Sequence, residues 1–331
     1  MKTLDRKLGA ILRGSEASTD FIIADAKDAD MGGGRPAPGP ERDPDGKPLD
    51  TYRPLAGFLD EIRTIVRQGI VDVMLVSSST LERLGEGIFE SSRVTPAIRA
   101  NDTTDIWGLR GGAYPGEPSR PFRTASLARA RDLGCDLCLY SITFNNRVED
   151  DVRSLEAFAA FREDAERCGM RYFLEVFNPN VETGFASLEE TGAYVGDCIL
   201  RALAGLTRAE RPRFLKIAYN GRRAMTELCS YDPELVAGIL GGAAGTNRDT
   251  FQLLADAQRD GARVALFGRK IKLAESPLEM IRHMRHVVDG DLSPEEAVRE
   301  YHAAIREDGL VPARPLAEDL RITEPALLAE A

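Results

Sequence analysis

Eight short apolar runs rich in β-branched residues, separated by segments with apolar residues at three- and four-residue spacing, leave few folds open to this chain. The runs fall at 21–25, 71–77, 95–100, 136–141, 171–177, 213–218, 235–241 and 263–268, and read as strands. The segments 55–68, 122–133, 152–168, 188–204 and 250–260 carry the helical spacing between them. Gly69, Gly134, Gly169 and Gly261 each stand between a helical segment and the next strand, where helix C-termini favour glycine. Strand and helix alternating eight times predicts an α/β fold, a closed (β/α)8 TIM barrel with parallel strands. A doubly wound open sheet is the alternative, but no dinucleotide-type glycine loop follows the first strand.

A barrel commonly takes roughly 250 residues as one domain, so residues 1–312 are expected to form a single one. Two segments are additional. Residues 31–54 follow the first strand directly and hold Gly32, Gly33, Gly34 and five prolines before residue 50. Loops after barrel strands lie on the catalytic face, which makes this insertion a lid or rim, the alternative being a disordered surface loop. The tail 313–331, rich in proline, alanine and acidic residues, is expected to dock on a neighbouring subunit or on nothing.

Lysine and arginine total 43 and aspartate and glutamate 53, a formal charge of −10. That balance argues against nucleic acid or an anionic membrane as the main partner, while leaving room for a local basic pocket. The longest apolar runs, such as 199–203 and 235–240, fall far short of the roughly 20 residues of a membrane span. Residues 1–14 mix charged and apolar side chains without the apolar stretch of a signal peptide. Five cysteines, an odd number, suit a reducing compartment. A cytoplasmic protein is expected.

Barrel chemistry is carried by residues at strand ends. His283, His286 and His302 are the only histidines and all lie in the last helical segments, which disfavours a histidine triad or a metal site. His283 and His286 read as helix-surface residues without a third ligand nearby. Cys135 and Cys138 form a C-x-x-C at a strand start, where alternation points them to opposite faces, so they read as buried small hydrophobes. Lys216 is more informative, because it stands inside the apolar strand Phe214-Leu215-Lys216-Ile217-Ala218. Leu215 and Ile217 would pack against helices, which turns Lys216 into the barrel. There an amine losing hydration becomes a nucleophile for carbonyl carbon. The alternative is a lysine paired with an inward carboxylate for structural reasons alone.

At the end of strand 1, Asp25 and Lys27 share a face and are expected to look into the mouth. Asp25 would move protons or hold hydroxyls, and Lys27 would act on Lys216 by repulsion or contact a substrate anion. Glu175, at the end of strand 5, is a second acid or base. Arg99, at the end of strand 3, offers a cation. Strand 7 leads into Gly241-Gly242-Ala243-Ala244-Gly245, and strand 8 into Gly268-Arg269-Lys270. Many barrels bind phosphate with these two loops. Their glycines admit backbone N–H groups to an oxyanion, and Arg269 supplies the countercharge.

With these residues in place, the sequence resembles the archaeal-type class I aldolases, the group of fructose-bisphosphate aldolase and the autoinducer-2 aldolase-like proteins. Lys216-Ile217-Ala218-Tyr219-Asn220-Gly221 is similar to that family's strand-6 segment, with the Schiff-base lysine first. Gly241-Gly242 and the stretch Gly268-Arg269-Lys270-Ile271 are similar to its phosphate loops, and Ala274–Met280 to the helix beyond. The family's strand-1 Asp-His-Gly stands here as Asp25-Ala26-Lys27. Its strand-5 Glu-x-Tyr-Pro stands as Glu175-Val176-Phe177-Asn178, so Phe177 occupies the position of the proton-donating tyrosine. Glu175, Asp25 and Tyr219 are the candidates to replace that donor.

The resemblance implies a metal-independent, cofactor-free lyase of carbohydrate metabolism. It would cleave or form a C–C bond in a phosphorylated keto-sugar or related small carbonyl compound. Catalysis would fall to Lys216, Asp25, Glu175 and Lys27, and substrate or phosphate binding to Gly241, Gly242, Gly268, Arg269, Arg99 and Tyr219. It also implies a homo-oligomer. The alternatives are a sugar-phosphate isomerase or acyl transferase on the same barrel and phosphate site, or a non-catalytic sugar-phosphate sensor.

Overall fold

A computed structural model describes residues 1–43, 46–85, 87–242 and 245–328. Eight parallel strands close into a barrel in the order β1-β8-β7-β6-β5-β4-β3-β2. They are β1 (Ile22–Lys27), β2 (Val73–Val76), β3 (Thr95–Arg99), β4 (Leu137–Thr143), β5 (Arg171–Phe177), β6 (Leu215–Ile217), β7 (Gly238–Leu240) and β8 (Val264–Phe267). Each lies within two or three residues of a run picked out by its apolar, β-branched composition. Helices α1 (Thr3–Leu12), α2 (Ala29–Gly33), α3 (Leu55–Gln68), α4 (Ser78–Leu84), α5 (Leu127–Asp132) and α6 (Val148–Arg167) occupy the first half. Helices α7 (Leu188–Leu203), α8 (Arg222–Tyr231), α9 (Asn247–Arg259), α10 (Arg269–Lys272), α11 (Pro277–Asp289) and α12 (Pro294–Glu307) follow. Ser77, Ser126, Ser187, Thr246, Ser276 and Ser293 start six of them, each side chain accepting a backbone N–H of the first turn.

Strand alternation divides the core into two layers. Ile22, Ala24, Val73, Leu75, Ala97, Leu137, Leu139, Phe173, Phe214, Val264 and Leu266 fill the barrel interior. Ile23, Met74, Val76, Ile98, Cys138, Leu174, Val176, Leu215, Ile217, Ala265 and Phe267 face the helices. Leu4 and Leu8 of α1 join the interior cluster and plug the barrel at the N-terminal ends of its strands. Lys7 of the same helix is buried there against Asp72, 2.9 Å away. The floor of the barrel is therefore closed and the C-terminal ends of the strands form the mouth.

The described residues of the insertion are folded. They contain α2 and a hairpin of Pro40–Arg42 against Pro48–Tyr52, tied back by Arg35, which donates to the carbonyls of Arg53 and Tyr52 at 3.0 and 2.8 Å. Residues 44 and 45 of the insertion, Ala243 and Ala244 of the strand-7 loop, and 329–331 of the tail lie outside the described residues. The tail docks on its own barrel, against the expectation of a neighbouring subunit or nothing. Asp319 accepts from Asn247 N and Nδ2 at 2.8 and 2.6 Å and pairs with buried His302. Thr323 donates its N–H and hydroxyl to Asp249 at 2.7 and 2.6 Å, and Leu327 is buried. His283 is likewise buried, not on the helix surface, its Nδ1 2.8 Å from the Glu279 carbonyl. Cys135 and Cys138 are free thiols, both packed in the strand–helix layer. They share it because Cys135 precedes the strand and escapes its alternation.

Candidate active site

The mouth of the barrel holds a cavity of about 490 Å³ lined by residues from β1, β3, β5, β6, β7 and β8 and their loops. An aromatic layer lies beneath the residues that line it. Phe173 and Phe214 stack inside the barrel with ring centroids 4.5 Å apart. One alternation step above them, Glu175 and Lys216 are register partners on β5 and β6. Both side chains turn inward and touch: Lys216 Nζ contacts Glu175 Oε1, with the two residues 6% and 1% exposed. Lys216 thus has an apolar underside, a carboxylate at its side and the open mouth above.

A second cation completes a buried network. Arg99, at the end of β3, contacts Asp28, lies 3.2 Å from Glu175 Oε2, and donates to Ser141 Oγ at 2.8 Å. Ser141 in turn donates to Glu175 Oε2 at 2.7 Å. Burial raises the Asp28 carboxyl, but Arg99 and Lys216 outweigh it and hold the group below the usual carboxylate range. Burial likewise opposes the Arg99 guanidinium, and Asp28, Glu175 and Asp102 more than restore it. Behind Arg99, burial pushes Asp102 up to about 6.

Strand 1 departs from the sequence expectation. Because Ala24 and Ala26 take the inward positions, Asp25 and Lys27 point outward into the layer beneath α3. Both are 0% exposed. Lys27 Nζ lies 3.5 Å from Asp25 Oδ2 and 2.7 Å from Glu61 Oε1. Neither residue lines the cavity; Asp28 does. Tyr219 is a further correction: it too points away from the barrel axis, its hydroxyl donating to Asp260 at 2.7 Å. Phe177 does line the cavity, so the mouth has an apolar ring where a phenol was missing from the sequence.

The wall at β7, β8 and β1 is cationic and glycine-rich. Leu240, Gly241, Gly242, Gly268, Arg269 and Lys272 form it. Gly242 holds a left-handed φ of 61°, and a Cβ on Gly268 would sit 3.0 Å from the Ala26 carbonyl, so another residue would be strained at the first position and tightly packed at the second. Lys272 donates to the Ala37 carbonyl of the insertion at 3.0 Å. Burial lowers its pKa first, and repulsion from Lys27, Arg53 and Arg269 lowers it further. Of these cations Arg269 and Lys272 line the cavity, and they make the wall attractive to an oxyanion. Gly32, Gly33, Pro36 and Ala37 extend the wall from the insertion.

The opposite wall comes from the segment after β3, with Asp105, Ile106, Gly108 and Pro115. Asp105 accepts from the hydroxyls of Ser119 and Thr143, both at 2.8 Å. Asp28, Ser141, Asp105 and Lys272 escaped the sequence reading. Asp28 alone had a signal there, being in step with the small residues Ala24 and Ala26. Among the described residues no group of three or more histidine, cysteine or acidic side chains is placed to hold a metal, and no helix is long and apolar enough to cross a membrane.

Neither a family model nor any curated protein matches the sequence. Solved structures do match in fold. An archaeal fructose 1,6-bisphosphate aldolase superposes with a TM-score of 0.62 at 18% identity, over 87% of this chain and 99% of that one. An archaeal aldolase whose catalytic lysine carries the carbinolamine intermediate gives 0.63 at 18% identity, over 87% and 100%. The fructose-bisphosphate aldolase of Slackia heliotrinireducens gives 0.64 at 13% identity, over 91% and 90%. The likeness read from the strand-6 motif holds at the level of the fold: the chain shares its barrel with these aldolases at low sequence identity.

Proposed function

We propose that this chain is a Schiff-base, metal-independent lyase that makes or breaks a C–C bond in a phosphorylated keto compound, with Lys216 as its nucleophile. The observation that carries the reading is the inward Lys216, seated on apolar rings and touching Glu175 at the base of an open cavity. The lysine must lose a proton to attack, and Glu175 is in contact to take it. The free amine adds to the carbonyl carbon, and Glu175 returns the proton to the carbinolamine hydroxyl, which leaves as water. The resulting iminium is an electron sink. Glu175, again a carboxylate, or Asp28 then removes the proton of the hydroxyl on the β-carbon. The C–C electrons flow into the iminium, giving an enamine and a free carbonyl fragment. Protonation of the enamine and hydrolysis release the second fragment and the lysine.

Asp25 and Tyr219 have no part in this scheme, because both face the helical layer. Phe177 has no hydroxyl to give, so proton transfer falls to the carboxylates. Gly242, Gly268, Arg269 and Lys272 would receive the phosphate, and Arg99 would fix Glu175 and Asp28. The insertion would limit water at the mouth. Borohydride reduction in the presence of ketose phosphates tests the reading. A stable adduct on Lys216, found by peptide mass and absent from Lys216→Ala, is expected; its absence with every ketose tried refutes the covalent mechanism.

A further inference from the structure

The charges lining the cavity are unevenly placed, and that asymmetry bears on the substrate. In the middle, Asp28 and Glu175 balance Arg99 and Lys216 by direct contact. What remains are Arg269 and Lys272 on one wall and Asp105 on the other. In a closed ring of eight strands, the loops after β3 and β4 lie across the axis from those after β7 and β8. The cavity therefore has one cationic end and one acidic end. Among the described residues lining the Asp105 wall, Ile106, Gly108, Pro115 and Phe177 bring no positive charge. Arg99, the nearest cation from that side, is held by Asp28, Glu175 and Ser141.

We infer that the substrate carries a single oxyanion, bound at the Arg269 end, and an uncharged hydroxylated end that meets Asp105. This inference deepens the reading proposed above and rests on it for the position of the reacting carbonyl. A carboxylate has about four acceptor positions, and Asp105 spends two on Ser119 and Thr143. The rest suit a substrate hydroxyl, which donates a proton as phosphate does not. A second phosphate there would meet a fixed negative charge and no partner, a device that selects by repulsion. A monophosphorylated polyhydroxy ketone fits; a bisphosphate does not.

Calorimetric titration of the full-length protein and of its Arg269→Ala and Asp105→Asn variants tests this, using inorganic phosphate, fructose 1-phosphate and fructose 1,6-bisphosphate as probes. Borohydride trapping runs in parallel on the same samples. The wild type is expected to take one phosphate per chain, with at least tenfold weaker binding in Arg269→Ala and unchanged binding in Asp105→Asn. The monophosphate should bind at least tenfold more tightly than the bisphosphate, and Asp105→Asn should narrow that gap. Equal or tighter binding of the bisphosphate by the wild type, phosphate binding that survives Arg269→Ala, or no binding of any probe overturns the assignment. Preferential monophosphate binding without a reduced adduct on Lys216 would uphold the single-anion site and remove the Schiff-base chemistry, so the two failures are distinguishable.

Discussion

Lys216 and Glu175 are register partners on neighbouring strands, and each turns its side chain into the barrel so that ammonium and carboxylate touch above the stacked rings of Phe214 and Phe173. The pairing gives the lysine a proton acceptor without any rearrangement. Replacing Glu175 by glutamine keeps the shape and removes the acceptor. Loss of a general base commonly costs about 10²- to 10⁴-fold in rate, and kcat for C–C cleavage is expected to fall within that range. An ammonium left without its buried partner also costs about 3–5 kcal/mol, so Tm should drop, and thermal melts beside the kinetics read both effects.

Lys272 touches the cavity and also holds the insertion through the Ala37 carbonyl. A hydrogen bond to a charged group contributes about 1.5–3 kcal/mol, so Lys272→Met should raise KM for a phosphorylated substrate about tenfold or more. In the proposed reaction the chemical step lies at Lys216, and kcat should stay within a few-fold. A collapse of kcat at unchanged KM would instead make Lys272 part of the chemistry.

Asp25 behaves differently because it faces away from the mouth. Burial, opposed by Lys27, pushes its carboxyl up to about 7 from 3.8. Between those values the folded chain holds a proton that the unfolded chain has lost, so this group makes stability fall as pH rises through the window. Asp25→Asn lacks that dependence. Its Tm relative to the wild type should be higher at pH 8 than at pH 5, with turnover little changed at either. A variant that melts like the wild type at both pH values yet loses turnover would put Asp25 back in the catalytic set.

Thr323 anchors the tail by giving both its N–H and its hydroxyl to Asp249, the residue that also caps α9 through Thr246. Thr323→Val removes the hydroxyl and leaves the backbone donors. An intramolecular hydrogen bond such as this partly buried one is worth about 1 kcal/mol, and a stability loss of up to that size is expected from denaturant unfolding. Faster proteolysis within 313–328 should accompany it, since the tail would open first.

The barrel was legible because each strand is a run of apolar, β-branched residues and most of the intervening helices keep the helical period. Lys216 was legible for the same reason, as one charge in an apolar strand. Strand 1 was misread because charges alternate with alanines there, and charge was taken as the inward mark. The rule that worked for β6, large apolar residues toward the helices, places Phe21, Ile23 and Asp25 outside and Ala24, Ala26 and Asp28 inside. Tyr219 follows the same parity, two residues past Ile217. Lys272 and Asp105 had no such signal. Their position depends on how the loops after β8 and β3 fold back over the mouth, and no periodicity records that. The tail's docking was hidden likewise, because it rests on hydrogen bonds to Asp249, Asn247 and His302 and on scattered apolar residues such as Leu320 and Leu327, which follow no long periodic run.

The aromatic pair beneath Lys216 and the plug of α1 below it have a consequence for proton traffic. With the shaft sealed underneath, a proton shed by the lysine reaches bulk water only past whatever occupies the opening. In the proposed reaction a bound reactant would be its own stopper, confining the exchangeable hydrogens to the Lys216–Glu175–Asp28 set until it departs.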